Sequence, residues 1–382
     1  MMQKKFWMCC AAAVLAVGAW AEASGDRPDA RHAWAVHDVN RPDPVAVKTE
    51  EGQPPSDAIR LFDGTAESIA QHWCGSDGKP SRWQTKDGLF VCVPGSGPAV
   101  TKEKFADCQL HVEWLSPVGD TGGLGNSGVI LMGAYEIQIL NSYGIVPSKS
   151  PWKAANYADG QAGALYGQNP PLVNPARPAG VWQSFDIVFH PQRWEGDTLI
   201  DKGSVTVFFN GVLVQDNWPL EDGGTTWCRR TTFKRMGPTG PLILQDHGNP
   251  VPFRNVWIRK IPSRFDNTVC GGPGVKPADV VALRDKLAAE TLAAAEAATE
   301  RAEKAVQYWS SVGYKDDPAV RAKAVAAMDA FAAEIKGWDH AACVRGRNRL
   351  YEMQRFTNML KNSGFIPAND PVLREISSAI AR

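Results

Sequence analysis

The chain has 382 residues, and its 41 basic and 41 acidic side chains leave no net charge. That length suits one large all-β domain with a smaller companion, and the charge balance offers no long-range field to nucleic acid or an anionic membrane, so neither is expected as a partner. Hydrophobic residues at 44%, with 14 Trp and 14 Phe, indicate a folded chain rich in large aromatics.

The first elements in chain order concern targeting. "MMQKK" is basic, "FWMCCAAAVLAVGAW" is apolar, and "AWAEA" supplies small residues for cleavage. Residues 1–23 therefore read as a signal peptide cut after Ala21 or Ala23, and the mature protein is expected in the periplasm or outside the cell. The apolar run is short for a membrane span. No later segment has 18 consecutive apolar residues, so no span is expected after cleavage. Residues 24–57 are rich in Pro, Asp, Arg and Ala without periodicity and read as an extended arm.

From 58 to 262 the pattern is short runs of period 2 separated by Gly, Pro, Asn and Asp. They include "QLHVEWL" (109–115), "GVILMG" (128–133), "YEIQIL" (135–140), "QSFDIVFH" (183–190), "SVTVFFNGVLVQ" (204–215), "PLILQDH" (241–247) and "FRNVWIRKI" (253–261). The Asn-Gly at 210–211, between two alternating runs, predicts a hairpin. Many strands and few helices predict a mainly β sandwich or jelly roll.

After a linker at 263–276, residues 277–382 turn rich in Ala, Glu, Lys and Leu and read as helical. Glu300 and Lys304 form an i,i+4 pair. Asp317 is an N-cap before Pro318, and Gly337 is a stop. Further helices are expected near 340–362 and 371–381. No catalytic constellation lies in this tail; it reads as a bundle that packs on the β domain, on a partner protein or on another copy.

Two signal-segment cysteines aside, Cys74, Cys92, Cys108, Cys228, Cys270 and Cys343 remain. In an exported chain that set suggests disulfides, with Cys74 and Cys92 close enough in sequence to pair. No Cys/His spacing suggests a zinc site.

The strand "YEIQIL" raises the functional question. Alternation puts Tyr135, Ile137 and Ile139 on one face and Glu136 and Gln138 on the other. A mid-strand acid and amide beside apolar neighbours need polar partners. "LILQDHG" (242–248) has the same habit, with Gln245, Asp246 and His247 following apolar residues. "NPARPAGVWQSFDI" (174–187) adds Arg177, Trp182, Gln183 and Asp186. The strand face next to Glu136 offers Gln138, which cannot ionise, so a two-carboxylate glycosidase would need its second acid from another strand.

Together "LFDG", "TKEKFADCQLHVEW", "GNSGVILMGAYEIQILNSYG", "YADGQAGALYGQNPPLVNPARPAGVWQSFDIVFH", "VTVFFNGVLVQDN" and "GPLILQDHGNPVPFRNVWIR" resemble the 3-keto-disaccharide hydrolase domain family (DUF1080) over roughly 58–261. The resemblance implies a concanavalin-like jelly roll, export, and action on glycosides already oxidised to a ketone at C3. It implies that Glu136 and His247 carry protons, and that Asn126, Gln138, Tyr143, Arg177, Trp182, Gln245 and Asp246 bind substrate. Asn141, Val181 and Pro252 depart from the family pattern. A C3 ketone acidifies the C2 proton; a base removes it, the C1 substituent leaves, and water adds to complete a net hydrolysis. Glu136 or His247 is the base, with the other as acid or orienting partner. That step requires no cofactor; a bound metal in place of Arg177 as electrophile stays open. The competing classes are a non-catalytic lectin-like module and an ordinary glycoside hydrolase on a jelly roll.

Overall fold

The computed structural model describes residues 26–28, 32–119, 124–145, 157–221, 235–263 and 277–382. The described residues form fifteen strands and seven α-helices. In chain order these begin with β1 (Ile59–Phe62), α1 (Ala66–His72), β2 (Trp73–Cys74), β3 (Gln84–Lys86), β4 (Leu89–Val91), β5 (Ala99–Phe105), β6 (Cys108–Leu115), β7 (Ser127–Leu131) and β8 (Tyr135–Ile139). They continue with β9 (Trp182–His190), β10 (Arg193–Glu195), β11 (Thr198–Asp201), β12 (Ser204–Phe209), β13 (Val212–Pro219), β14 (Gly240–Leu244) and β15 (Pro252–Lys260). The helices α2 (Pro277–Ala297), α3 (Arg301–Tyr314), α4 (Pro318–Lys336), α5 (His340–Arg345), α6 (Arg347–Asn362) and α7 (Pro371–Ala381) follow.

The chain divides into two compact units, 46–263 and 1–45 with 264–382. In the β unit two antiparallel sheets sandwich one core. The larger runs β13-β12-β9-β6-β15-β4-β3, with β1 also on β15; the smaller runs β2-β5-β14-β7-β8. Alternation sets the layers. Val112, Trp114, Phe185, Ile187, Val207 and Phe253 come inward from the larger sheet, and Val129, Leu131, Tyr135, Ile137, Ile139 and Leu244 from the smaller. This is the mainly β sandwich expected from the alternation. The Asn210–Gly211 turn joins β12 to β13, and both residues have positive φ, 51° and 80°, as a tight hairpin with right-handed strand twist requires. Met132 and Gly133, at φ 56° and 67°, turn β7 back into β8 in the same way.

The helical unit has a core built on Trp309, Phe331, Ile335, Leu350, Met353 and Ile376. Asp317 caps α4 by accepting from the Ala319 and Val320 amides, Pro318 opens the helix, and Gly337 ends it. The first helical run is two helices, broken at 298–300. Glu300 is the N-cap of α3, and its carboxylate pairs with Arg349 at 3.0 Å across the bundle instead of with Lys304. The expected arm at 24–57 also divides between the units. Residues up to 45 belong with the helices, where Trp34 is buried against Val280, Leu287, Ala288 and Tyr314, and Asp38 accepts from the Tyr314 hydroxyl at 2.5 Å. Residues 46–57 belong with the β unit, where Asp57 accepts two hydrogen bonds from the Arg259 guanidinium at 2.7 Å.

Cys74 and Cys92 do not pair, although their closeness in sequence suggested it: both are free thiols, as are Cys108 and Cys343. The Cys74 thiol faces the Val100 carbonyl at 3.4 Å, whereas Cys92 is buried beside Asp246. Cys228, Cys270, the expected signal peptide at 1–23 and most of the expected linker at 263–276 lie outside the described residues. No described helix is long and apolar enough to cross a membrane.

Candidate functional site

Strand register assembles the site on the face of the smaller sheet that points away from the core. β7 pairs with β8 so that Gly128 faces Gln138 and Ile130 faces Glu136. β14 pairs with β7 so that Ile243 faces Ile130, and the Gln245 amide continues the ladder by donating to the Gly128 carbonyl at 3.0 Å. On the far edge of β8, Leu165 bridges Ile137; the Tyr166 amide donates to the Glu136 carbonyl and the Gln138 amide to the Ala164 carbonyl, both at 3.0 Å. Side chains facing away from the core therefore fall in two rows. One is Gln245, Gly128, Gln138 and Ala164. The other is Ile243, Ile130, Glu136 and Tyr166.

Gly128 explains where the Glu136 carboxyl goes. A Cβ built on Gly128 would lie 2.2 Å from Glu136 Oε1 and 2.8 Å from its Cγ and Cδ. The side chain of Glu136 lies across the Gly128 backbone, into the row between Gln245 and Gln138, and only glycine leaves room. Glu136 is 5% exposed, and burial pushes its carboxyl up from 4.5 to about 7.

The amides around it are incompletely satisfied. Gln138 Oε1, Gln245 Oε1 and Asn126 Oδ1 are buried with no hydrogen-bond partner among the described residues, and so is Asn141 Oδ1 just beyond β8. Each such group costs about 1–3 kcal/mol of desolvation unless a ligand meets it. Asn126 precedes β7, its amide N–H donating to Asn249 Oδ1 at 2.9 Å, which ties the loop after β14 to this end of the sheet.

That loop carries His247 and Asp246. Asp246 accepts from the Gly97 and Gly248 amides at 2.9 Å each, and these bonds hold its carboxylate below the ordinary range against the opposing effect of burial. It shapes the loop. His247 is exposed. The two residues expected to carry protons thus differ sharply: Glu136 is enclosed, whereas His247 is exposed on the loop after β14.

The remaining expected residues separate. Tyr143 is 55% exposed in the loop after β8. Arg177 is exposed, and its guanidinium donates to the Trp182 carbonyl at 3.0 Å. The loop carrying Arg177 reaches the end of β8 through Asn174 Nδ2, which donates to the Ser142 carbonyl at 2.7 Å. Buried Gln183 fixes that loop by accepting from the Arg177 amide at 3.0 Å and donating to the Arg177 carbonyl at 2.8 Å. Trp182 is not on this face. Alternation along β9 points Gln183 and Phe185 to the core and Trp182, Ser184 and Asp186 to the outside of the larger sheet, across the sandwich from Glu136. There the Arg254 guanidinium covers the Trp182 ring at 4.1 Å. Glu113 accepts from Arg254 Nε at 2.6 Å and Asn255 Nδ2 at 2.9 Å, and His111 Nδ1 meets Asp186 at 2.6 Å.

Two residues on the Glu136 side went unremarked in the sequence: Tyr166 and Tyr157. Their hydroxyls lie 3.2 Å apart and their rings meet edge-on at 6.3 Å. They sit in an irregular segment with no period to read, and only the bridge between Leu165 and Ile137 shows which face Tyr166 shares.

Among the described residues no group of three His, Cys, Asp or Glu side chains is placed to hold a metal ion. Residues 57–259, just over half of the chain, match the model of a 3-keto-alpha-glucoside-1,2-lyase-like domain. A solved structure of a candidate glycosyl hydrolase from Parabacteroides distasonis is 36% identical, with a TM-score of 0.51, and the match covers 58% of this chain and 93% of that one. A second candidate glycosyl hydrolase from the same organism is 23% identical, with a TM-score of 0.41, over 54% of this chain and 94% of that one. No curated protein matches.

Proposed function

Because the chain belongs to the 3-keto-alpha-glucoside-1,2-lyase-like domain family, we propose that it cleaves glycosides or disaccharides bearing a ketone at C3, with Glu136 as the base that removes the C2 proton. One observation carries this reading: a carboxyl with its pKa raised to about 7 lies over Gly128, flanked in its row by the amides of Gln138 and Gln245. A general base works best when its pKa is near the working pH. A buried carboxylate in an apolar setting is also a stronger base than a solvated one.

The chemistry follows from the ketone. Loss of the C2 proton to Glu136 leaves an enolate whose oxygen at C3 needs donors, not a second carboxylate. The carboxamides of Gln138, Gln245 and Asn126, whose oxygens are buried without a partner among the described residues, each also carry an NH2 group, a neutral donor for the enolate oxygen. The electron pair then collapses toward C1, the C1–O bond breaks, and water adds across the C1–C2 double bond. The abstracted proton exchanges with solvent, Glu136 delivers a solvent-derived proton to C2, the second proton of the added water goes to the departed oxygen, and the net change is hydrolysis. The proton count needs no redox cofactor at this step, since the ketone arrives already formed. His247, Tyr143 and Arg177, on exposed loops, are left to hold outer parts of the substrate. The basic and apolar start of the chain supports export to the periplasm or beyond.

The test is to incubate the purified protein with a 3-keto-disaccharide and with its unoxidised parent, measuring released sugar. Cleavage of the ketone alone is expected, with at least about a hundredfold loss in Glu136→Gln. Equal cleavage of the parent would favour an ordinary glycosidase. Binding of both sugars without turnover would leave a lectin-like module.

A further inference from the structure

The elimination needs an acid for the oxygen that leaves C1, and His247 is exposed on the loop after β14. We propose that the Tyr166 hydroxyl, backed by Tyr157, is that acid. This rests on the reading of Glu136 as the C2 base and adds a catalytic residue to it.

Register carries the proposal. Tyr166 is the neighbour of Glu136 across the edge of β8, joined by its amide hydrogen bond to the Glu136 carbonyl at 3.0 Å. Leu165, the next residue back, is fully buried opposite Ile137, so Tyr166 faces the other way, onto the side that Glu136 occupies. Cross-strand neighbours on one face bring Cβ atoms to about 5 Å. The Glu136 carboxyl reaches back over Gly128, and its charge still acts on the Tyr166 phenol, so a base for C2 and an acid for the C1 substituent share one face of the sheet.

The segment is built to hold the pair still. The Tyr157 ring lies against Gly160, where a Cβ would come within 2.0 Å of its Cε2, so any other residue there would displace the ring. The Gly167 amide donates to the Asp159 carbonyl at 3.1 Å and closes the segment on itself. Fully buried Gln215 anchors it from β13: Nε2 donates to the Gly163 carbonyl at 3.0 Å, and Oε1 accepts from Asn169 Nδ2 at 2.9 Å. Burial pushes the Tyr166 phenol up, so it stays protonated until the leaving oxygen takes its proton.

The proton count closes. Glu136 takes the C2 proton, the C1–O electron pair goes to the departing oxygen, and the Tyr166 O–H bond breaks to protonate it. As water adds its hydroxyl to C1, the phenolate takes the other proton of that water, and Glu136, its proton now exchanged with solvent, protonates C2. Tyr157 donates to the transient phenolate at the 3.2 Å oxygen separation already present.

The experiment separates this step from the first. Full-chain wild type, Tyr166→Phe and Tyr157→Phe are given three substrates: a 3-keto-disaccharide, 4-nitrophenyl 3-keto-glucoside, and 3-keto-1,5-anhydroglucitol, which has no leaving group. Enzyme-dependent C2 exchange is followed by mass spectrometry on the last. Tyr166→Phe is expected to lower disaccharide cleavage at least about a hundredfold. The same variant should lower nitrophenyl release less than about tenfold, since that group departs without a proton, and should retain C2 exchange. Tyr157→Phe is expected to fall between wild type and Tyr166→Phe on the disaccharide. An equal loss on all three substrates would assign Tyr166 a structural role, and unchanged disaccharide cleavage would remove it from the reaction; either overturns the proposal. A wild type that cleaves the disaccharide without exchanging C2 overturns the role of Glu136 instead, and this proposal with it.

Discussion

Replacing Glu136 by Gln should make stability less sensitive to pH, in a direction opposite to most acidic residues. The carboxyl is 5% exposed, and its pKa rises from 4.5 to about 7 on folding. The folded state therefore holds this proton more tightly than the unfolded chain. Its contribution is fully present below pH 4.5, is lost as the pH rises through 7, and is flat above that. At 1.36 kcal/mol per unit, the loss is about 3 kcal/mol. An amide of the same shape does not ionise and carries no such penalty. Asp107 and Glu113 are held below their ordinary values by His190 and Arg193, and by Asn255 and Arg254, against opposing burial. They give the reverse slope, but wild type and variant share them, and the helical unit too, so they cancel in the difference. Urea unfolding of both proteins at intervals from pH 4.5 to 8 measures it. The variant should gain about 3 kcal/mol relative to wild type across that span. Parallel curves would show that Glu136 is not desolvated in the folded protein and would remove the physical basis for its basicity.

Gly128→Ala should displace the Glu136 carboxyl, since the new methyl falls 2.2 Å from Oε1; turnover is expected to drop at least about a hundredfold and the denaturation midpoint to fall by an amount equivalent to about 1–3 kcal/mol. Gln138→Ala and Gln245→Ala each remove an enolate donor, and kcat should fall about 10²–10³-fold with a smaller change in KM; an effect confined to KM would assign these amides to binding alone. Trp34→Ala should destabilise the helical unit by about 3–5 kcal/mol, seen as earlier loss of helical circular dichroism on heating, with turnover unchanged at temperatures where the fold persists.

Much of the sandwich was legible because a strand with one buried face must alternate. β6 and β9 read in from out without ambiguity, and Asn210–Gly211 marked its hairpin because few residues tolerate two consecutive positive φ angles. The same alternation placed Glu136 and Gln138 together and away from the core. It could not say which strands lie beside them. Gly128 looked like any turn-rich glycine until register put it under the Glu136 carboxyl, and Tyr166 lay in a segment without period. Trp182 was misplaced for a related reason: nearness in sequence to Arg177 says nothing about which sheet a strand joins. Proximity also misled for Cys74 and Cys92, since the local chain between them is committed to strands that keep both thiols apart from one another. The docking of the arm through Trp34 and Asp38 depends on partners some 250 residues away, which no local pattern reveals.

The central claim is that Glu136 removes the C2 proton of a 3-keto sugar. The most direct measurement is cleavage of a 3-keto-disaccharide in deuterium oxide, with the product trapped at early times by borohydride reduction and compared with an enzyme-free control. One solvent deuterium at C2 per bond cleaved is predicted for the wild type, with kcat/KM rising with pH to a plateau through an apparent pKa of about 7, and Glu136→Gln should show neither label nor cleavage. Bond cleavage that leaves the original hydrogen at C2, or cleavage that persists undiminished in Glu136→Gln, would contradict it.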